Sequence, residues 1–144
     1  MIRLSALVAA VALATVASTA QAQKTGAEVY ATCSACHQAN GQGLPGAFPP
    51  LAGSEWVTGK ADIPIAIVLH GLQGQITVKG QKYNGVMAPW GTTFNDDQVA
   101  AVVTYIRSQW GNKAPAVTKA DVARVRAATK ARKGAFTEAE IKKL

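Results

Sequence analysis

The pentapeptide Cys33-Ser34-Ala35-Cys36-His37 contains both cysteines and one of the two histidines of this 144-residue chain. Two thiols at this spacing can add to the two vinyl groups of a haem, and a histidine directly after the second thiol then lies beneath the iron as an axial ligand. The motif therefore predicts one covalently bound haem c, attached to Cys33 and Cys36 and ligated by His37.

Other uses of a Cys-x-x-Cys pair fit this sequence less well. A thioredoxin-like redox pair requires a βαβ surround, which the residues flanking Cys33 do not provide. Structural zinc takes four Cys or His ligands, so an ion would need all four such residues of the chain, including the adjacent Cys36 and His37. A structural disulfide would close a very short loop. Haem attachment is the favoured prediction.

Residues 1–22 have the pattern of a secretory signal peptide. Arg3 supplies a positive start, residues 4–17 form an alanine-rich apolar stretch, and Ala20-Gln21-Ala22 resembles a cleavage site. The apolar stretch is shorter than the ~20 residues of a spanning helix, so an uncleaved membrane anchor is the less favoured alternative. We expect a mature chain that begins at Gln23 and resides in the periplasm.

The positive charge of the chain is concentrated near its C-terminus. Residues 23–111 contain five Lys or Arg and five Asp or Glu, whereas residues 112–144 contain nine Lys or Arg and three Asp or Glu. The division predicts a haem domain at residues 23–111 and a basic C-terminal helical extension at residues 112–144. Redox proteins are the expected partners, and no nucleic-acid partner is expected.

Capping residues and turn residues divide the mature chain into short elements. Thr25 and Glu28 form a capping box for a first helix, and Asn95 and Gln98 form another for a helix over residues 95–110. Between these helices the sequence predicts a Gly/Pro-rich loop at 38–53, a helical turn at 54–59, a helix at 62–69 with Asp62 as N-cap, a hairpin with strands at 76–78 and 81–83, and an irregular stretch at 84–91.

Two residues compete for the second axial position on the iron. Met87 is the only methionine after Gln23 and lies in the predicted irregular stretch, 50 residues beyond His37. Its thioether would raise the potential of a His-ligated haem, and filling a gap in the core is its alternative role. His70 is the competing ligand, but its place at a predicted helix C-terminus favours a surface or propionate-binding role.

Residues 24–111 resemble the class I c-type cytochromes, in which a compact bundle of short α-helices encloses one haem. Gly26, Tyr30 and Tyr105 match the positions where the N- and C-terminal helices of that family cross. The resemblance implies an all-α fold class: short helices around one covalent haem, with long loops, the small hairpin and an extra C-terminal helical tail.

The resemblance also implies roles for residues around the haem. Pro50 matches the proline whose carbonyl holds the proximal imidazole, and Trp56 and Tyr83 are candidates for contacts with the propionates, with core packing as an equal alternative. Residues 69–72, 76–78 and 83–87 further resemble monohaem cytochromes that serve as subunits or domains of respiratory oxidases and periplasmic dehydrogenases.

These features predict a periplasmic single-electron carrier that is not itself an enzyme. A permanent cytochrome subunit of a dehydrogenase or terminal reductase is the main alternative. A haem enzyme with an open iron site is a less favoured alternative, because it would need Met87 to be displaced and a distal acid–base group to be present. In a third alternative the haem only stabilises the fold, and the protein has no redox partner. The basic extension is either a helix strapped to the haem domain or a docking segment for an acidic partner or an anionic membrane surface.

Overall fold

The computed structural model describes residues 23–144, so the predicted signal peptide lies outside the described residues. The elements, in chain order, are α1 (Gly26–His37), α2 (Glu55–Thr58), α3 (Asp62–His70), β1 (Leu72–Val78), β2 (Gln81–Met87), α4 (Asp96–Ser108), α5 (Lys119–Thr129) and α6 (Glu138–Ile141). The fold is mostly helical with one two-stranded sheet. Over residues 23–144, none of the helices combines the length and apolar character that a membrane crossing requires.

Capping boxes start α1, α4 and α5, and those at Thr25 and Asn95 confirm the sequence prediction. Thr25, Asn95 and Thr118 each accept a hydrogen bond from the third helical residue, whose own side chain bonds back to the N-cap. Each box satisfies backbone N–H groups that have no partner within the helix. The prediction for α3 was wrong by one residue, because Asp62 is the first helical residue and Ala61 is the N-cap.

Helices α1 and α4 cross at Gly26. A Cβ atom at this position would lie 2.7 Å from Cβ of Tyr105, so only glycine permits the observed approach. The Tyr30 ring packs 5.3 Å from the Tyr105 ring and 5.0 Å from the Trp110 ring, measured between centroids. The predicted contact between the first and last helices of the 23–111 segment is thereby confirmed.

The hairpin is longer than the sequence predicts. Strands β1 and β2 pair antiparallel from Leu72 opposite Met87 to Val78 opposite Gln81. Lys79 and Gly80 form the turn with φ values of 49° and 76°, which suits a two-residue hairpin of the type I′ class. Met87 therefore ends a strand instead of lying in an irregular stretch. The sequence prediction missed the second half of β2 because buried and exposed residues do not alternate along this strand. Tyr83 is its one buried residue.

The C-terminal extension packs into the core of the molecule. Helix α5 packs on α3 and α4, and α6 packs on β1 and α3. Val122 and Ile141 are 0% exposed. Phe136 adds backbone hydrogen bonds to the sheet edge, since its carbonyl accepts from Gln73 at 2.8 Å and its N–H donates to Gly71 at 3.1 Å. The extension thus shares one hydrophobic core with the rest of the described chain.

Most basic side chains of the extension contact carboxylates. Arg124 binds both oxygens of Asp62 at 2.7 and 2.9 Å. Two further pairs join the extension to α4, and three lie within the extension: Arg126–Asp96, Lys119–Asp97, Arg124–Asp121, Arg132–Glu140 and Lys142–Glu138. Exposed ion pairs each contribute only about 0–1 kcal/mol, so burial of the apolar residues holds the extension in place.

Replacing Ile141 by alanine tests this shared core. Ile141→Ala should lower the free energy of unfolding by about 2–5 kcal/mol, because it opens a cavity at a fully buried position. Urea unfolding of the haem-loaded protein measures the loss. The exposed neighbour Lys143 supplies the control, and Lys143→Ala should stay within about 0.5 kcal/mol. Equal midpoints for both variants would show that α6 is not part of the cooperative core.

Candidate functional site

His37 is the last residue of α1 and is oriented by the loop that follows it. Its Nδ1 lies 2.9 Å from the carbonyl oxygen of Pro49. Because a carbonyl can only accept, Nδ1 carries the proton and Nε2 keeps a lone pair. Burial lowers the pKa of His37, although the bond to Pro49 opposes this effect. The imidazole is therefore held neutral, which is the form that binds a metal ion.

The carbonyl that orients His37 was assigned to the wrong proline. The resemblance pointed to Pro50, but the structure places the carbonyl of Pro49 against the imidazole. Two consecutive prolines offer two carbonyls one residue apart, and only the path of the preceding loop selects between them. Pro50 instead lines a cavity beside His37.

The two cysteines lie at different depths beside His37. Cys33 is half-buried and Cys36 is exposed, and both are free thiols. Burial, with a smaller contribution from Cys36, raises the pKa of Cys33 to about 11. One helical turn thus presents one thiol toward the interior and one toward the surface.

Two adjoining cavities open beside this turn: an inner cavity of about 80 Å³ that reaches Val57 and Ile106, and an outer cavity of about 230 Å³ that reaches Cys36 and Tyr83. The cavities share six lining residues: Cys33, His37, Pro49, Leu72, Ile76 and Met87. The inner cavity is otherwise mainly apolar, with walls from α2, α3, β1 and α4. An apolar slot bordered by two free thiols, a neutral imidazole and a thioether fits a covalently attached haem.

Met87 is held on both sides by backbone contacts. It pairs with Leu72 at the open end of the hairpin. Beyond it, Trp90 donates its N–H to Val68 at 2.9 Å and Gly91 donates to Leu69 at 3.1 Å, which ties the outgoing chain to α3. The hairpin and α3 together place the partly buried Met87 side chain on the wall of both cavities.

Trp56 and Tyr83, the two candidates for propionate contacts, both border the cavities. The indole N–H of Trp56 donates to the Thr77 carbonyl at 2.7 Å, which packs α2 on the hairpin, and a contact of Trp56 with a propionate stays a prediction. Tyr83 is 9% exposed and lines the outer cavity. Its contact with a propionate stays a prediction.

His70 contacts the C-terminal extension and not the two cavities, which disfavours it as the second axial ligand. Its Nε2 lies 2.7 Å from Oγ1 of Thr129, and its ring meets Phe136 edge-on at 5.7 Å between centroids. It lines neither cavity. Both partners belong to the C-terminal extension, which the resemblance did not cover. Burial lowers the pKa of His70, and the charges of Arg132 and Arg126 lower it further.

Asn112 is a site residue that the sequence interpretation missed. Its side chain is buried and donates to the carbonyls of Leu51 and Ile106 at 3.0 and 2.7 Å, while accepting from the N–H of Gly53 at 2.8 Å. These bonds fix the end of the loop that carries Pro49. A polar amide directly after a helix-ending glycine was the available signal.

The haem-binding features agree with the comparison with protein families. A family model described as cytochrome c matches residues 23–110. This chain belongs to the cytochrome c family. Its features match those of a class I c-type cytochrome, and the cofactor of the family is covalently bound haem c with iron.

Individual relatives fall into two groups. A cytochrome c-552 of Thermus thermophilus is 52% identical over 97 residues, which are 65% of this chain and 65% of the relative. The gluconate 2-dehydrogenase cytochrome c subunit of Pantoea cypripedii is 43% identical over 72% of this chain and 24% of its own length. The cytochrome c subunit of alcohol dehydrogenase (quinone) from Gluconacetobacter polyoxogenes is 37% identical over 70% and 22%, respectively. The matched region thus spans less than two thirds of each of these relatives.

Removing the Asn112 side chain should loosen the loop that orients His37. Asn112→Ala removes three hydrogen bonds to backbone groups of Gly53, Leu51 and Ile106, at about 1 kcal/mol each, so we expect a loss of about 3 kcal/mol in unfolding free energy. Denaturant unfolding of the haem-loaded protein measures it. Asn84→Ala, at an exposed position in β2, is the control. A loss no larger than that of the control would contradict the bracing role.

The lowered pKa of His70 predicts a pH dependence of stability. In the unfolded chain His70 has its ordinary pKa of 6.5. At pH values between 6.5 and the lower pKa of the folded protein, His70 therefore binds a proton in the unfolded chain but not in the folded one. Stability should therefore fall as the pH falls through this window. His70→Gln removes the titration and can still donate to Thr129, so its urea midpoint should fall less between pH 7 and about pH 5. Parallel pH profiles for the two proteins would refute this assignment.

Proposed function

We propose that this chain is a periplasmic single-electron carrier with one haem c attached to Cys33 and Cys36 and ligated by His37 and Met87. One observation carries the proposal: a neutral imidazole oriented by Pro49 shares an apolar cavity with a free thiol and a thioether. Exchange of one electron at the iron is the chemistry that a bound haem supplies. Residues 1–22, with their export pattern, support the periplasmic location.

The residues around the slot are suited to electron transfer. The Pro49 carbonyl fixes the orientation and the basicity of the His37 ring, and the Met87 thioether is a soft ligand that favours a high potential. The apolar walls from α3 and α4 exclude water. The backbone bonds that flank His37 and Met87 hold both ligands in place, which keeps reorganisation between oxidation states small.

Acid–base catalysis at the iron receives no support from the cavity walls. Among the described residues, those that line the two cavities include no Asp, Glu, Lys or Arg, and His37 is the one histidine. His70 is engaged by Thr129 at a distance from the slot. An open-site haem enzyme would need a distal acid–base group that these walls do not supply, so the proposal is a protein that transfers electrons without catalysing a reaction at the iron.

Electrons would enter and leave through the mouth of the outer cavity. Cys36 is exposed there, and so are Phe48 and Val86, which are 37% and 77% exposed. Leu44, the other large exposed hydrophobic residue in the described chain, pairs with Phe48 through a backbone bridge. A haem edge behind this rim would lie close to a redox protein that docks on it.

The alternative is a permanent cytochrome subunit of a dehydrogenase or terminal reductase. The similarity to cytochrome subunits of gluconate and alcohol dehydrogenases favours this alternative, although the matched region covers under a quarter of those proteins. A docking role for the basic extension is weakened by its structure, because five of its nine basic residues contact carboxylates. Lys113, Lys130, Lys133 and Lys143 would carry any attraction to an acidic partner or an anionic membrane surface, and such attraction should weaken with salt.

Replacing Met87 tests the proposed ligand set. Met87→Ala should abolish the weak far-red absorption band of the ferric protein that thioether ligation produces, and should lower the midpoint potential by about 59 mV or more, a tenfold change in the ferrous-to-ferric ratio. Visible spectroscopy and a potentiometric titration measure both. Val86→Ala, at the exposed neighbouring position, is the matched control and should keep the band. A high-spin ferric spectrum in the wild-type protein would overturn the carrier function.

A further inference from the structure

Arg107 is a buried cation close to the proposed haem slot. It lies in the last turn of α4 and is 3% exposed, whereas every other Lys or Arg between residues 23 and 144 is at least partly exposed. Its guanidinium donates to three backbone carbonyls: Nε to Pro115 at 2.9 Å, and Nη1 to Val57 at 2.6 Å and to Gly59 at 3.0 Å. The side chain is therefore fixed in position.

No carboxylate in the described part of the chain pairs with Arg107, although six other ion pairs form there. Burial lowers its pKa, but a guanidinium remains charged in proteins. Burying an unpaired charge is costly, and the three carbonyls offset only part of that cost. A hydrophobic residue of similar length would avoid the cost of the buried charge but would remove the donor of these three carbonyls. Arg107 thus places a full charge at a buried position.

The charge lies directly behind the wall of the inner cavity. Val57, whose carbonyl accepts from Arg107, lines that cavity, and so does Ile106, the preceding residue of α4. Arg107 itself is not part of the lining, so it acts through the wall and not by contact. Between it and the slot lie apolar side chains, which screen a charge far less than water does.

We propose that Arg107 raises the reduction potential of the haem by placing a fixed positive charge behind the slot. This inference rests on the haem site proposed above. Ferric haem carries one more positive charge than ferrous haem, so a nearby cation disfavours the oxidised form. The carbonyl dipoles that hold the guanidinium oppose its field, but a dipole field falls off faster with distance than that of a full charge. The net effect at the slot is positive.

Three variants separate the charge of Arg107 from its hydrogen bonds. Arg107→Gln keeps an amide donor but removes the charge. Arg107→Lys keeps the charge but removes the planar guanidinium. Arg124→Gln is the control, because it removes an exposed arginine whose side chain is 56% accessible. In a potentiometric titration of the haem-loaded proteins, Arg107→Gln should lower the ferrous-to-ferric ratio at fixed potential about tenfold, which is ~59 mV for one electron. Arg107→Lys and Arg124→Gln should stay close to the wild type.

Salt and stability measurements exclude a merely structural role. The shift in Arg107→Gln should persist at about 1 M salt, because a buried charge is poorly screened. The contrary result is an Arg107→Gln variant that retains a reversible redox couple at the wild-type potential and shows only a lower unfolding midpoint. In that case the role of Arg107 is structural and the inference is wrong. If the wild-type protein itself shows no reversible couple, the proposed function fails instead.

A pH titration of Arg107→Lys decides the question if Arg107→Gln does not yield haem-loaded protein. Burial lowers the pKa of a lysine, so the introduced ammonium should lose its charge below the ordinary value of about 10.4. The potential of this variant should then fall relative to the wild type as the pH rises from about 7 to about 10.5. A constant difference over that range would overturn the inference.

Discussion

The hydrogen bond from His37 to the Pro49 carbonyl is the contact on which the site depends. It sets the tautomer and the orientation of the one imidazole that lines the slot, among the described residues. The bond can form only if the 38–53 loop follows one path. Tyr30 donates to the Gln38 carbonyl at 2.7 Å, Trp110 donates to the Ala39 carbonyl at 3.1 Å, and Asn112 holds the far end of the loop. Residues of α1 and of the segment after α4 thus brace the loop that orients His37.

The C-terminal extension has a different physical role from the one that its charge suggests. Nine basic residues in a short segment predict a solvated or partner-binding surface. In the structure, Val122 and Ile141 are fully buried, and Arg124 and Arg126 contact Asp62 and Asp96 of α3 and α4. Apolar burial supplies the stability, and the ion pairs leave fewer cations to attract a partner. The segment completes the core around the hairpin that ends at Met87.

Local signals predicted most of the secondary structure and failed where distant contacts decide the outcome. Capping boxes such as those at Thr25 and Asn95 depend on residues three apart, so the sequence locates them well. The second half of β2 lacks a buried face, and its strand forms because β1 pairs with it, while the backbone of Phe136 bonds to β1. The contact between His70 and Thr129 was likewise missed, because the two residues lie 59 positions apart.

The sequence by itself determined the cofactor and the family, because the spacing of Cys33, Cys36 and His37 encodes the attachment chemistry within one helical turn. It also singled out Met87, since few thioethers were available. Only the tertiary structure decided that Pro49 and not Pro50 holds the imidazole, and that an unpaired Arg107 lies behind the slot. These features arise from loop paths and from burial between segments about 50 residues apart, which no local pattern of residues specifies.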